Sequence, residues 1–230
     1  MPETLKTIAA EIAVCKNCEL SRTRTYSVPG EGNPDTEIML IGEGPGKNED
    51  LEGRPFIGQA GKLLTELLAN AGLTREDVFI CNVVKCRPPL NRDPEPAELA
   101  ACNAYLDRQI AVIKPSIIIT LGRFSMANFF EDVKISQVHG MMKRVGDTFV
   151  IPMFHPAAAL HQPALKPAIR EDFSKLPKLL AMARKELGLP AKQNIAKPEP
   201  LRQPVPEQPK HNNLSSDKPD APEGKQLKLL

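Results

Sequence analysis

The sequence predicts an α/β domain built on a largely parallel sheet, and three observations carry that reading. Four short apolar runs have the length and β-branched content of buried strands: EIMLIGE from Glu37, DVFICNVVKC from Asp77, SIIITLG from Ser116 and TFVIPMFH from Thr148. Segments with helical spacing separate them. Strands alternating with helices of this length make βαβ units, whose right-handed crossovers place the strands parallel.

The first run passes into GEGPGKNED, a glycine-rich loop of the type that often cradles a phosphate. Its register argues against that use, because G-x-G-x-x-G would need glycine at Lys47, and G-K-[ST] fails at Asn48. Glu43, Glu49 and Asp50 also fill the loop with carboxylates, which repel phosphate. Next, GQAGKLLTELLANAG sets Leu63, Leu64, Leu67 and Leu68 on one helical face and stops at Gly72. The second run carries Asn82 among apolar residues, where an amide is costly without partners. PEPAELAACNAYLDRQIAVIK then opens with proline and glutamate, as first helical turns prefer. The third run ends at Gly122 and the fourth at His155, and an amphipathic helix over roughly 169–187 closes the domain. Ligands of such sheets bind at the carboxyl ends of the strands. Residues 42–46, 82–92, Gly122 and His155 are therefore expected to meet in one crevice.

A chain of 230 residues, 41% of them apolar, can bury one good core. The domain is expected over 1–190. Residues 191–230 hold seven of the 23 prolines and no aromatic residue, which predicts a disordered tail. The tail has seven Lys/Arg and five Asp/Glu; removing them from totals of 30 and 28 leaves 23 of each in the body. Whole-body charge would not drive nucleic-acid binding, so any such binding needs a local patch. No signal peptide or membrane-length apolar run is present, which predicts a soluble, cytoplasmic protein, and nothing suggests more than a monomer.

Five cysteines in such a chain point to metal or redox chemistry. Cys15 and Cys18 form one C-x2-C pair, while Cys86 and Cys102 lie far apart. Structural zinc usually uses two short pairs, whereas a cubane iron–sulfur cluster accepts one close pair with two distant thiolates. Cys81, inside VFICNVV, reads as core.

Taken together, VCKNCELSRTRTYSVPGEGNPDTEIMLIGEGPGKNEDLEGRPFIGQAG, CNVVKCRPPLNRDPEPAE and IPMFHPAAAL resemble the family 4 uracil-DNA glycosylases, from about Val14 to Asp172. The resemblance implies a three-layer α/β/α sandwich with a four-stranded, mainly parallel sheet. It also implies a [4Fe-4S] cluster on Cys15, Cys18, Cys86 and Cys102, and hydrolysis of the bond joining uracil to deoxyribose in DNA. Such an enzyme must extrude the base, read its edge and stabilise the departing anion. Phe56 is the candidate aromatic platform. Asn82 offers an acceptor and a donor that match uracil N3–H and O4. His155 is the candidate donor to uracil O2, worth about 10²–10³ in rate, and His139 is a weaker second candidate.

Better-known branches of the superfamily carry an aspartate at the position of Gly44. Here the backbone at Gly42, Glu43 and Gly44 can approach the base, and the attacking water falls to that backbone and to Glu43 or Asn91. Glu49 is the candidate for crowding the C5 methyl of thymine. Leu160 is the candidate wedge, and His161 is expected on the DNA-facing loop. Arg87, Arg92, Lys143 and Arg144 are candidate phosphate contacts. The last five residues, QLKLL, resemble a sliding-clamp docking peptide through Gln226, Leu227, Leu229 and Leu230. Two other classes compete. An iron–sulfur electron carrier would explain the cysteines but not Phe56, Asn82 and His155, and a non-catalytic DNA-binding protein would predict a degraded site.

Overall fold

The four apolar runs become parallel neighbours of one sheet in a computed structural model of the chain, which describes residues 2–189. The predicted tail over 191–230, with its clamp-like end and His211, lies outside the described residues. In chain order the elements are α1 (Leu5–Val14), α2 (Leu20–Thr23), β1 (Glu31–Gly32), β2 (Ile38–Gly42), α3 (Lys47–Glu52), α4 (Gln59–Asn70), β3 (Phe79–Asn82), α5 (Pro96–Ile113), β4 (Ile117–Leu121), α6 (Arg123–Met126), α7 (Ile135–Val138), β5 (Lys143–Val145), β6 (Thr148–Met153), α8 (Pro156–His161) and α9 (Lys166–Glu186). None of the helices among the described residues is long and apolar enough to cross a membrane.

The sheet order is β1-β3-β2-β4-β6-β5. Its four central strands run parallel, and β1 and β5 add antiparallel edges, so six strands stand where the resemblance implies four. The extra strands are two and three residues long, EG and KRV, with no apolar run to announce them. Short, charged edges of this kind discourage pairing with another chain.

Alternation along the central strands makes two core faces and hence three layers. Ile38, Leu40, Ile80, Ile119 and Ile151 meet Leu64, Leu67 and Leu68 of α4 and Phe173, Leu176 and Leu180 of α9. Met39, Ile41, Phe79, Ile118 and Val150 meet Leu106 and Ile113 of α5 and Met126 of α6. Each such side chain contributes about 1.5–3 kcal/mol when fully buried, which holds the central strands in one register.

That register aligns the carboxyl ends. Gly42 pairs with Asn82 and Leu121 with Met153, and the Gly122 N–H donates to the Met153 carbonyl at 2.8 Å. The second run is shorter as a strand than its apolar pattern suggests: β3 stops at Asn82. Beyond it, the Val83 and Val84 N–H groups donate to the Gly42 and Glu43 carbonyls at 3.0 and 3.1 Å. Asn82 is thereby set at the end of the strand, on the ligand-binding edge.

Candidate active site

A cleft of about 330 Å³ opens at the carboxyl ends of the strands. Glu43, Gly44, Glu49, Phe56, Asn82, Asn91 and His155 all line it, as do Pro88, Arg92 and His161. The convergence expected from topology is present for the 42–46 loop, the 82–92 segment and His155, whereas Gly122 does not line the cleft and instead packs against His155. Gly42 completes it from the adjoining strand end: a Cβ there would overlap Asn82 Oδ1 and lie 2.6 Å from Phe56 Cζ. Only glycine lets the amide and the ring approach the strand so closely.

Asn82 is buried, and its Oδ1 has no hydrogen-bond partner. An orphaned buried acceptor is costly, and the residue that carries this one lines the cleft, which fits a donor arriving from outside. The backbone behind the amide is held firmly. The buried Lys85 ammonium donates to the Asn82 carbonyl at 2.7 Å and to Gln109 Oε1 at 2.6 Å, and Gln109 Nε2 donates to the Pro29 carbonyl at 2.7 Å.

Phe56 adopts a left-handed φ of 52°, rare for an aromatic residue and sustained only when the surroundings over-determine it. Arg75 Nη1 donates to its carbonyl at 3.0 Å, and Nη2 donates to the Pro55 carbonyl at 2.8 Å. Glu49 Oε1 accepts from the Ile57 and Gly58 N–H groups at 2.9 and 2.8 Å. The structure thus gives Glu49 a positioning contact with the Phe56 loop that the sequence did not suggest. The Phe56 ring stacks on His155, with centroids 5.4 Å apart and planes at 27°.

His155 caps α8, and its Nδ1 accepts from the Ala157 N–H at 3.1 Å. That bond requires an unprotonated Nδ1 and assigns the ring proton of the neutral imidazole to Nε2. Burial pushes the pKa of His155 down to about 4, against the opposing pull of Glu49. The ring is therefore neutral near pH 7 and keeps one N–H to donate.

The remaining candidates divide. Burial and Asp93 raise the pKa of Glu43, opposed by Arg123. Asn91 lines the cleft with its Oδ1 already accepting from Arg87 Nε at 2.7 Å. At Gly44 a Cβ would press within 2.8 Å of Val84 Cγ2, leaving little room for a carboxylate. Arg92 is committed to the buried Glu98, at 2.6 and 2.9 Å, and so anchors its loop. Lys143 and Arg144 sit on the β5 edge and do not line the cleft. His139 bonds Asp172 at 2.7 Å, packs on Phe154 and is likewise not part of the cleft lining. Leu160 projects from α8, half-exposed, one residue before the cleft-lining His161.

Cys15, Cys18, Cys86 and Cys102 line a second, small pocket between α1, α5 and the segment after β3. Among the described residues no three His, Cys, Asp or Glu side chains form a ready-made metal site. The donor set nevertheless fits a thiolate-held group. Arg24 Nη1 donates to Cys86 Sγ at 3.1 Å and the Lys85 N–H to Cys102 Sγ at 3.3 Å, contacts that favour sulfur carrying negative charge. Burial pushes the free Cys102 thiol up to about 11, so a bare Cys102 thiolate is disfavoured. Cys81 is core, as expected.

Sequence reasoning missed Lys85, Gln109 and Arg75. Lys85 did leave a trace, a lone lysine inside the apolar run NVVKC.

The profile of the uracil DNA glycosylase superfamily matches residues 29–176. Proteins named Type-4 uracil-DNA glycosylase are similar over most of their length. That of Sulfurisphaera tokodaii is 50% identical over 77% of this chain and 85% of its own, and that of Saccharolobus solfataricus is 49% identical over 78% and 88%. The protein of that name from Archaeoglobus fulgidus is 48% identical over 77% of this chain and 94% of its own.

Proposed function

The chain belongs to the uracil DNA glycosylase superfamily, and on that premise we propose how its cleft removes uracil from DNA. The protein is a uracil-DNA glycosylase of DNA repair, which hydrolyses the N-glycosidic bond between uracil and deoxyribose. The observation that carries the residue assignment is the orphaned Oδ1 of Asn82, a residue that lines the same cleft as Phe56 and His155.

Uracil N3–H donates to Asn82 Oδ1, and O4 accepts from Nδ2. Cytosine offers the reverse pattern at these atoms and leaves Oδ1 unpaired, a penalty larger than the loss of a single contact. Phe56 supports the ring of the extruded base. His155 donates Nε2–H to uracil O2, where charge accumulates as the C–N bond lengthens, and a neutral, preorganised donor stabilises that charge with little rearrangement. With no carboxylate at Gly44, the rate rests mainly on this leaving-group stabilisation. The attacking water is held by Glu43, Asn91 and the backbone of the 42–44 loop. Glu49 fixes the Phe56 loop and stands where the C5 methyl of thymine would intrude.

Cys15, Cys18, Cys86 and Cys102 hold a [4Fe-4S] cluster, which supplies a brace between the N-terminal helices, α5 and the segment that carries Asn82. The N–H···S contacts and the single close cysteine pair support that assignment. The terminal QLKLL docks on a sliding clamp, and its deletion should remove clamp binding without changing release from free oligonucleotides.

The decisive assay is release of free uracil from a labelled single-stranded oligonucleotide, with cytosine and thymine controls. Iron-loaded protein that releases no uracil would overturn the reading.

A further inference from the structure

Leu90 is the most exposed of the large apolar residues among those described, at 95%, and its backbone holds it there. Leu90 and Asn91 take left-handed φ values of 55° and 56° in succession, an arrangement that non-glycine residues adopt only under constraint. The constraint is visible. The Asn91 and Arg92 N–H groups donate to the Pro88 and Pro89 carbonyls at 3.0 and 3.1 Å. Arg87 Nε clamps Asn91 Oδ1, and Arg92 ties the end of the loop to the buried Glu98. A single exposed leucine needs no explanation by itself. A leucine presented by a strained, multiply bonded loop, whose neighbours Pro88, Asn91 and Arg92 all line the cleft, has its position fixed at the rim of the site.

We propose that Leu90 is a second probe of the DNA base stack, acting on the duplex that flanks the extruded nucleotide. The inference rests on the uracil-excision reading above. Its occupant follows from the geometry. The extruded base fills the cleft, so the surface touching the rim is the DNA on either side of it, and an apolar side chain entering that stack unstacks a base step. The sheet also separates the strands that lead to Leu90 and Leu160. The first follows β3 and the second follows β6, with β2 and β4 between them. The strand ends from which the two loops leave are three strand spacings, roughly 14 Å, apart. The two leucines therefore reach the cleft on separate loops, from different strands. Leu160 occupies the space left by the nucleotide, and Leu90 presses on a neighbouring step, so that the duplex is strained from both sides of the cleft.

The test compares the unaltered protein with Leu90→Ala and Leu90→Asn. Asparagine suits the left-handed backbone, so it removes the apolar probe while keeping the loop conformation. Uracil release from a U:G duplex should fall roughly tenfold in both variants, with release from single strands within about twofold of the unaltered protein and the melting temperature unchanged. A second arm needs no catalysis. The fluorescence of 2-aminopurine beside a non-hydrolysable uridine analogue should rise when the unaltered protein binds the duplex, and rise less with either variant. Equal duplex release and equal fluorescence would overturn the role of Leu90. Equal loss on duplex and single strands would overturn it too, by making Leu90 part of the chemistry. Because the fluorescence arm reads unstacking alone, it separates failure of this inference from failure of the glycosylase reading.

Discussion

The cleft and the cysteine pocket share one short segment, from Asn82 at the end of β3 to Cys86, yet they treat their polar atoms in opposite ways. In the cleft, Asn82 Oδ1 is buried without a partner. In the pocket, the sulfurs of Cys86 and Cys102 already accept N–H bonds from Arg24 and Lys85. Backbone strain divides the same way. Of the five positive-φ non-glycine residues among those described, Phe56, Leu90 and Asn91 stand at the cleft or its rim, and the cysteines are not among the five. The contrast is the one expected between a transient and a permanent occupant, as proposed for the two sites. A site that binds and releases a base keeps an unmet acceptor and stored strain, whereas a site that holds its group throughout the life of the protein satisfies its donors internally.

The largest effect should come from breaking the cleft alone. Gly42→Ala would drive a methyl group into Asn82 Oδ1 and the Phe56 ring, and Asn82→Ala or His155→Ala would remove the proposed reader or the proposed leaving-group donor. Each should cut uracil release by at least roughly 10² in single-turnover assays. Affinity for duplex DNA and iron content should hardly change. Iron loss in any of these variants would break the separation between the two regions.

Damage in the other direction should spread. Cys86→Ser should lower iron and sulfide content, reduce stability by several kcal/mol, as loss of a structural metal group does, and weaken uracil release as well, because the same segment carries Asn82. Metal analysis, thermal melting and the release assay would be read on one preparation. A variant lacking iron with normal release and melting would refute the bracing role.

Lys85 sharpens the comparison, since its ammonium holds the Asn82 carbonyl while its N–H reaches Cys102. Lys85→Met keeps the N–H···S contact and removes the ammonium, leaving the Asn82 carbonyl and Gln109 Oε1 unpaired at about 1–3 kcal/mol each. The expected result is a moderate fall in kcat with KM and iron little changed. Loss of iron would assign Lys85 to the cysteine pocket instead.

The division between legible and hidden follows from the range of the interactions. The four central strands were legible because both their faces are buried, which writes continuous apolar runs into the sequence. The edges β1 and β5 were not, since partly exposed pairs such as Glu31–Gly32 and Lys143–Arg144 carry no such pattern. Asn82 and His155 could be placed at strand ends by topology and chemical type, and the cleft contains both. The anchoring by Lys85, Gln109 and Arg75 was hidden, because Lys85 meets Gln109 across 24 residues and Arg75 meets Phe56 across 19, with no local period to link them. Arg92 shows the converse case, a legible charge with a hidden partner. Its charge suggested a phosphate contact, while its partner, the buried Glu98, became apparent only in three dimensions.

The smallest effect expected is one of pH, and it isolates the cleft from the cysteine pocket. Burial lowers the pKa of His155 to about 4 in the folded chain, from an ordinary value of 6.5. Between those values the unfolded chain takes up a proton that the folded chain refuses. The unfolded state binds more protons there, so folding stability rises with pH through this window. The contribution of His155 is complete above about 6.5 and is lost as pH falls toward 4. His155→Gln has no imidazole to titrate, so the slope of its stability against pH over this range should be shallower than that of the unaltered protein. Chemical denaturation at intervals of pH measures this directly. The release rate should likewise show no inflection near 6.5 attributable to this residue, since its working neutral form persists to about 4. A His155 titration near 6.5, followed by NMR in the iron-loaded protein, would show that the ring is solvated, and the neutral-donor mechanism would fall with it.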